Sequence, residues 1–395
     1  MLRKTNENNQ GTRAKARIVA LDRARAFIIL LVLIHHSVVN YTHFGTGDKM
    51  RWLGFDLMVL FNDSFFMACM FLISGLFVHG SLTRRGAANF LGNRAWRLGV
   101  PFLISIFVLM PVAYYPTFLR YHLPGTTDFN FLHFWWHTLT VGPWPSGPAW
   151  FLWVLQALDF IAAAVWSVAP RVVAALGWAI FALRNRPVTA FISFLIFSVV
   201  VYLPMHLIFG DTSWLEPGGY PLPIQTSRIL LYAGYFLAGV GVGAVSLKAG
   251  ILADNGEVVK RWPVWLAISL LFYGAILLLV YAHHNWVADF NAPPLSWRAA
   301  YGLVFALFSA AMTFTVLAIW LRSAESRLSL LDAMRPSAYG IFLVHYIFII
   351  WLQYAVYDYS WPAAVKAAVV FAGTLSLSWG LTVMLRKIPA VARMI

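Results

Sequence analysis

Within the first long apolar run of the chain, Arg25 and His36 are separated by ten residues. On a helix, eleven steps of about 100° make three turns plus roughly 20°, with a rise of roughly 16 Å. The two side chains therefore share a face, the guanidinium at one membrane surface and the imidazole in or beyond the middle of the bilayer. An imidazole exchanges protons near neutrality and is the commonest general base. Asp22, three residues before Arg25, is spaced to orient it. His35 is turned about 100° away and is the weaker candidate. Spacing alone leaves a second reading of His36 open, a hydrogen bond to a neighbouring helix.

A second basic pair, Arg94 and Arg97, lies in Asn93-Arg94-Ala95-Trp96-Arg97-Leu98-Gly99-Val100-Pro101, expected as an inner loop leading into a helix start. At i and i+3 it offers two planar, permanently charged forks suited to phosphate. Plain topology-setting charge is the competing reading. Ser74-Gly75 ends a Phe-rich run and reads most simply as close helix packing. Trp150-Phe151-Leu152 opens a later run, in which Gln156 and Asp159 follow one turn apart. Tyr339 and His345 share a run near the end, six residues apart and so on different faces. Ionisable groups within a membrane are costly and are functional candidates on that ground. His133 and His137 have metal-ligand spacing but flank Trp135-Trp136 in an outer loop, as His283-His284 lie in another, so no metal is expected. No HExxH, nucleotide-binding glycine loop or G-x-S-x-G occurs, which removes support for ATP-driven transport and serine hydrolysis.

Membrane helices must position these groups. Of 395 residues 61% are hydrophobic and 11% charged, against about 45–50% and about 25% in soluble domains. A span needs roughly 20 apolar residues, and ten runs qualify: 25–43, 56–79, 98–115, 148–169, 188–209, 228–247, 262–282, 298–320, 337–354 and 363–385. The expected fold is all-α and polytopic, with about ten transmembrane helices. Val172–Leu183 is too short to cross and is expected as an interfacial or re-entrant helix. The longest outer loop is expected from about Pro116 to Gly147.

The formal charge of +14 invites a nucleic-acid reading, which the placement of the cations removes. With the N-terminus inside, 23 of the 29 Lys and Arg fall on one side, as the cytoplasmic excess of positive charge requires. Lys49, Arg51, Arg120, Arg228, Arg298 and Lys366 are left at outer positions. Both termini are then cytoplasmic, in a multi-pass plasma (inner) membrane protein that contacts membrane lipids and no nucleic acid. Residues 1–22 read as a basic tail, 23–387 as one transmembrane unit and 388–395 as a short second tail. No cleavable signal is expected, since the first apolar run follows a long polar stretch. The single cysteine, Cys69, has no disulfide partner.

Taken in order, these residues resemble acyltransferase family three, the polytopic membrane O-acyltransferases. That family has an Arg or Lys, ten residues and a His in its first span, as at Arg25 and His36. It has an Arg-x-x-Arg before its third span, as at Arg94 and Arg97, and a Phe-rich segment ending in Ser-Gly, as at Ser74-Gly75. A late Tyr-x-x-Tyr-Leu-x-His is matched by Tyr339 and His345, with Phe342 in place of the second Tyr. The resemblance spans roughly residues 20 to 385. Asn62-Asp63, Gly99-Val100-Pro101 and Trp150-Phe151-Leu152 resemble the branch containing the protein that succinylates periplasmic glucans. Other branches carry Trp-Ser-Leu followed by a Glu, whereas Leu155 stands near that place here, and a second transfer step by a fused hydrolase-like domain is not expected.

The resemblance implies transfer of an acyl group, acetyl or succinyl or longer, from cytoplasmic acyl-CoA to a hydroxyl of an envelope glycan or other acceptor. His36 would be the general base, with Arg25 a second catalytic candidate about three turns away on the same span. Arg94 and Arg97 would hold CoA phosphates, and Asp22, Ser74, Trp150, Tyr339 and His345 are further candidates. Acyl-CoA enters as a donor substrate, with no cofactor held permanently. The alternative is a transporter or flippase for a lipid-linked sugar, against which stands the lack of inverted halves. The sequence leaves the oligomeric state, the acceptor and covalent against direct transfer open.

Overall fold

The computed structural model describes residues 2–45, 47–121, 130–216, 219–245, 250–253, 256–286, 293–323 and 329–395, with side chains from residue 19 on, Ser329 excepted. The chain is helical almost throughout. Helix α1 (Leu2–Val38) is followed by α2 (Leu53–Asp63), α3 (Phe66–Gly75), α4 (Val78–Arg94), α5 (Val100–Ile104), α6 (Met110–Tyr121) and α7 (Phe131–Thr140). Then come α8 (Trp150–Val168), α9 (Pro170–Ala182), α10 (Pro187–Phe209), α11 (Ile229–Ala244) and α12 (Glu257–Lys260). The last third holds α13 (Trp262–Trp286), α14 (Leu295–Arg322), α15 (Ser329–Met334), α16 (Ala338–Ala355), α17 (Ala363–Leu385) and α18 (Pro389–Ala392). Strands β1 (Trp214–Leu215) and β2 (Ile224–Gln225) form one short antiparallel ladder.

Among the described residues ten helical stretches are long and apolar enough to span a bilayer, and the short α9 is not one of them. Helix α1 sits in the middle. It buries Leu21, Ala24, Ile28 and Leu33 and packs on α14, α16 and α17. Large apolar side chains on α10 and α13, such as Ile196, Val200, Leu271 and Leu278, are exposed. In a membrane protein those are lipid-facing positions. Helices α3 and α11 cross at close range, because a Cβ on Gly75 would collide with the Phe236 carbonyl and one on Gly239 with the Leu72 carbonyl. Small residues of this kind let helix backbones touch.

The second and third spans depart from the expected limits. The second breaks at Ser64 and Phe65, between α2 and α3. The third begins well before residue 98, in a helical run from Val78 to Tyr121. Arg94 and Arg97 are therefore helical rather than in a loop. Gly86, at φ 73°, turns the chain within α4, a left-handed conformation that glycine adopts without strain. Segments Ala95–Gly99 and Ser105–Leu109 are π-helical.

Pro101 and Pro111 fall inside the expected span and Pro116 just beyond it, and the helical run continues through all three. Proline has no N–H for the carbonyl four residues back, and a polar group left unpaired in hydrocarbon costs several kcal/mol. Three aromatic donors from elsewhere take those oxygens. Tyr339 Oη donates to the Arg97 carbonyl at 2.5 Å, Trp135 Nε1 to Phe107 at 2.8 Å and Trp351 Nε1 to Val112 at 3.0 Å. The expected loop from Pro116 accordingly starts later, and residues 122–129 within it lie outside the described residues. His133 and His137 lie on α7 instead of a loop, its first turn capped by Asn130 Oδ1 accepting from the Leu132 N–H at 2.8 Å. His283 and His284 likewise belong to the last turn of α13.

Candidate active site

At one end of α1, four separated segments converge. Arg25 Nη1 meets Asp22 Oδ1 at 3.2 Å, the orientation expected from their spacing. Arg25 Nη2 donates to the Ile73 carbonyl at 3.4 Å, and the guanidinium lies 4.6 Å from the centre of the Phe77 ring. Arg94 and Arg97 are near enough for their charge to act on Arg25, and both act on Tyr339. Arg94 Nε stands 3.2 Å from Asp159 Oδ2 in an ion pair without a well-directed hydrogen bond. Asp159 is 0% exposed and Arg94 22%, so this charge is held largely inside the protein. Arg97 is exposed and has no carboxylate partner among the described residues. Three guanidiniums against two carboxylates, Asp22 and the buried Asp159, leave this end positive, which suits a polyanion.

Further along α1, His36 is half-buried against α16. Its ring centre lies 5.6 Å from that of His345 and 5.3 Å from that of Tyr346. His345 is fully buried, with Nδ1 2.6 Å from the Phe342 carbonyl. A carbonyl only accepts, so Nδ1 carries the proton and Nε2 keeps its lone pair. That Nε2 has no hydrogen-bond partner among the described residues. Gln353 Nε2 donates to the His36 carbonyl at 2.9 Å, while Gln353 Oε1 accepts from Asn40 Nδ2 at 2.6 Å. Tyr114 and Tyr346 join their hydroxyls at 3.3 Å.

His35 faces elsewhere, as its position on the helix requires. Its ring packs on Phe66, on the side where Arg228 Nη2 meets Asp63 Oδ2 at 2.5 Å. Beyond it Asp211 accepts from Tyr202 Oη at 2.8 Å and Ser227 Oγ at 3.0 Å, and approaches His206 Nδ1 at 3.3 Å. Burial alone would push the Asp211 carboxyl up. The hydrogen bond with His206 and the Arg228 guanidinium outweigh it and hold the group at about 2.

The structure thus gathers Asp22, Arg25, Arg94, Arg97 and Tyr339 at one end, and His36 and His345 at the other. Two candidates fall outside both groups. Ser74 Oγ donates to the Met70 carbonyl at 2.8 Å within its own helix, and with Gly75 it marks the α3–α11 crossing. Trp150 stacks on Tyr232 at 5.5 Å in an aromatic cluster that reaches His345 only through Phe151 and Phe342. Asn40, Tyr114, Tyr346 and Gln353 are site residues that spacing gave no means to find, because each comes from a different turn or helix. A cleft of about 670 Å³ between α9, α10 and α11 is lined almost wholly by apolar side chains and lies away from both groups.

Residues 18–383 match the family described as an acyltransferase domain. No curated protein matches the chain.

Proposed function

The chain belongs to acyltransferase family 3, and from that premise we propose that it moves an acyl group from acyl-CoA, held at the arginine end, to a hydroxyl acceptor at the histidine end. The observation that carries this reading is the shared face of α1. Arg25 and His36 stand on one helix, and around them Arg94 and Arg97 close one end and His345 and Tyr346 the other. Arg25, Arg94 and Arg97 receive the CoA phosphates as charge-assisted hydrogen bonds. The pantetheine arm, of the right order of length, runs along α1 for roughly 16 Å and brings the thioester to His36.

The neutral His36 ring takes the proton of the acceptor hydroxyl as its oxygen forms a bond to the thioester carbonyl carbon. The carbon–sulfur bond breaks, and the proton returns from His36 to the leaving thiolate. Holding the thioester and the acceptor hydroxyl together at His36 makes the attack effectively intramolecular. The Tyr346 ring and the Gln353 amide, which donates to the His36 carbonyl, fix the base. The excess of Lys and Arg on one side sets the arginine end and both termini in the cytoplasm of an inner-membrane protein, and the acceptor, an envelope glycan or other hydroxyl compound, arrives from the opposite face.

His36→Ala membranes supplied with radiolabelled acyl-CoA test the reading. Loss of transfer with retained acyl-CoA binding is expected, and transfer at the wild-type rate would overturn it.

A further inference from the structure

A pocket of about 190 Å³ with a mixed polar and apolar lining opens between α6, α16 and the turn that follows α1, at the end of the bundle away from Arg25, Arg94 and Arg97. Asn40, Tyr114, Arg120, Tyr346 and Gln353 line it, together with Gly47. Two of its lining residues, Tyr346 and Gln353, connect it to the proposed base. The Tyr346 ring packs on His36, and Gln353 donates to the His36 carbonyl. Phenol hydroxyls and side-chain amides both donate and accept, and the tyrosine rings add flat apolar faces. Convergent groups of this kind bind a small hydroxyl-bearing ring. The volume falls below the roughly 300 Å³ at which pockets for drug-sized ligands begin, so a single hexose-sized unit fits and a longer oligomer must protrude.

The charge of the pocket is equally defined. None of its lining residues is acidic. Asp48, beside Gly47 in sequence, is committed to Lys366 Nζ at 2.8 Å with both groups buried. Arg120 is held in place by the Tyr357 ring, whose centre lies 3.5 Å from its guanidinium carbon, and by donation to the Gly47 carbonyl. Its permanent charge is therefore fixed at the pocket wall.

We propose that this pocket is the acceptor subsite, and that it takes one hexose-sized, hydroxyl-bearing unit that is neutral or anionic and refuses a cationic amino sugar. The proposal rests on the acyl-transfer reading, because it supplies the hydroxyl that His36 deprotonates. Arg120 sets the charge preference, and Asn40, Gln353 and the tyrosines hold the ring.

Thr117 also lines the pocket and takes a probe, since the native Cys69 is buried. Full-length Thr117→Cys in lipid nanodiscs is treated with sulfonatoethyl and trimethylammonioethyl methanethiosulfonates. The anionic reagent is expected to react faster, by about tenfold for one charge-assisted contact, and the preference is expected to vanish when Arg120→Gln is added. D-glucuronate and D-glucose are expected to slow modification, and D-glucosamine is not. Modified protein is expected to bind acetyl-CoA normally, which also shows that it is folded, and to fail to acylate membrane-extracted acceptors. Protection by no sugar, equal protection by glucosamine, or transfer by the modified protein would each overturn the proposal. Adding His36→Ala separates the two readings. Transfer that survives that change sinks the function while sugar protection still supports the pocket, and lost transfer without protection sinks the pocket alone.

Discussion

The Tyr339 hydroxyl donates to the Arg97 carbonyl at 2.5 Å, joining two residues 242 positions apart. The oxygen is available because Pro101 has no N–H to return to it. One contact therefore closes a helix that proline would leave open, and seats the start of α16 against the arginine pair.

Tyr339→Phe keeps the ring and removes the donor. A hydrogen bond of this kind contributes about 1 kcal/mol net, more where its loss leaves a buried acceptor unpaired. Acyl-CoA affinity is expected to fall about five- to tenfold, with turnover at saturating donor close to wild type, because His36 is untouched. A donor titration checks it, and unchanged affinity would confine Tyr339 to helix closure.

Arg94→Ala does not test phosphate binding cleanly. It strands Asp159, which is fully buried, and breaking a buried pair costs about 3–5 kcal/mol. The single variant is expected to unfold at a markedly lower temperature. Arg94→Ala with Asp159→Leu is expected to recover most of that loss while leaving acyl-CoA affinity low. If the single variant melts with the wild type, the pair has no structural weight.

How much of this was legible in sequence follows from whether the relationship is local. Arg25, Asp22 and His36 share one helix, so helical geometry alone put them on one face, with His35 turned aside. The partner of Arg94 lies on α8, 65 residues away, and no periodicity connects the two. The third span was expected at 98–115, inside the longer run Val78–Tyr121, because hydropathy marks only the apolar part of that run. The Tyr and Trp donors that let this helix run through Pro101, Pro111 and Pro116 come from α7 and α16, and no local pattern announces them. The second span was drawn whole because hydropathy does not register the break at Ser64.

Outside the spans, Asp211 gives the protein an acid-sensitive point. Its carboxyl is held at about 2 against an ordinary value of 3.8, a depressed folded-state value. The stabilisation is present above about pH 4 and is lost as the pH falls through about 2, amounting to about 2 kcal/mol in all. Thermal unfolding between pH 6 and pH 2 is expected to show this slope in the wild type. Asp211→Asn is expected to be less stable at pH 6 and flatter over that range. A parallel slope in the variant would place the acid sensitivity elsewhere.

His345 has two nitrogens with separable duties. Nδ1 anchors the ring to the Phe342 carbonyl at 2.6 Å, and Nε2 is left as a bare acceptor in the group that includes His36. Asparagine at this position reproduces a donor near Nδ1 and has no atom where Nε2 stands, whereas glutamine reaches the Nε2 position. If Nε2 assists proton transfer at His36, His345→Asn is expected to lose about a hundredfold in turnover. His345→Gln would then keep the larger share, with acyl-CoA affinity unchanged in both. If the ring serves only as an anchor, the order reverses, and His345→Asn outperforms His345→Gln. Turnover of the two variants at saturating acyl-CoA, with melting temperatures measured alongside, decides which nitrogen the reaction uses.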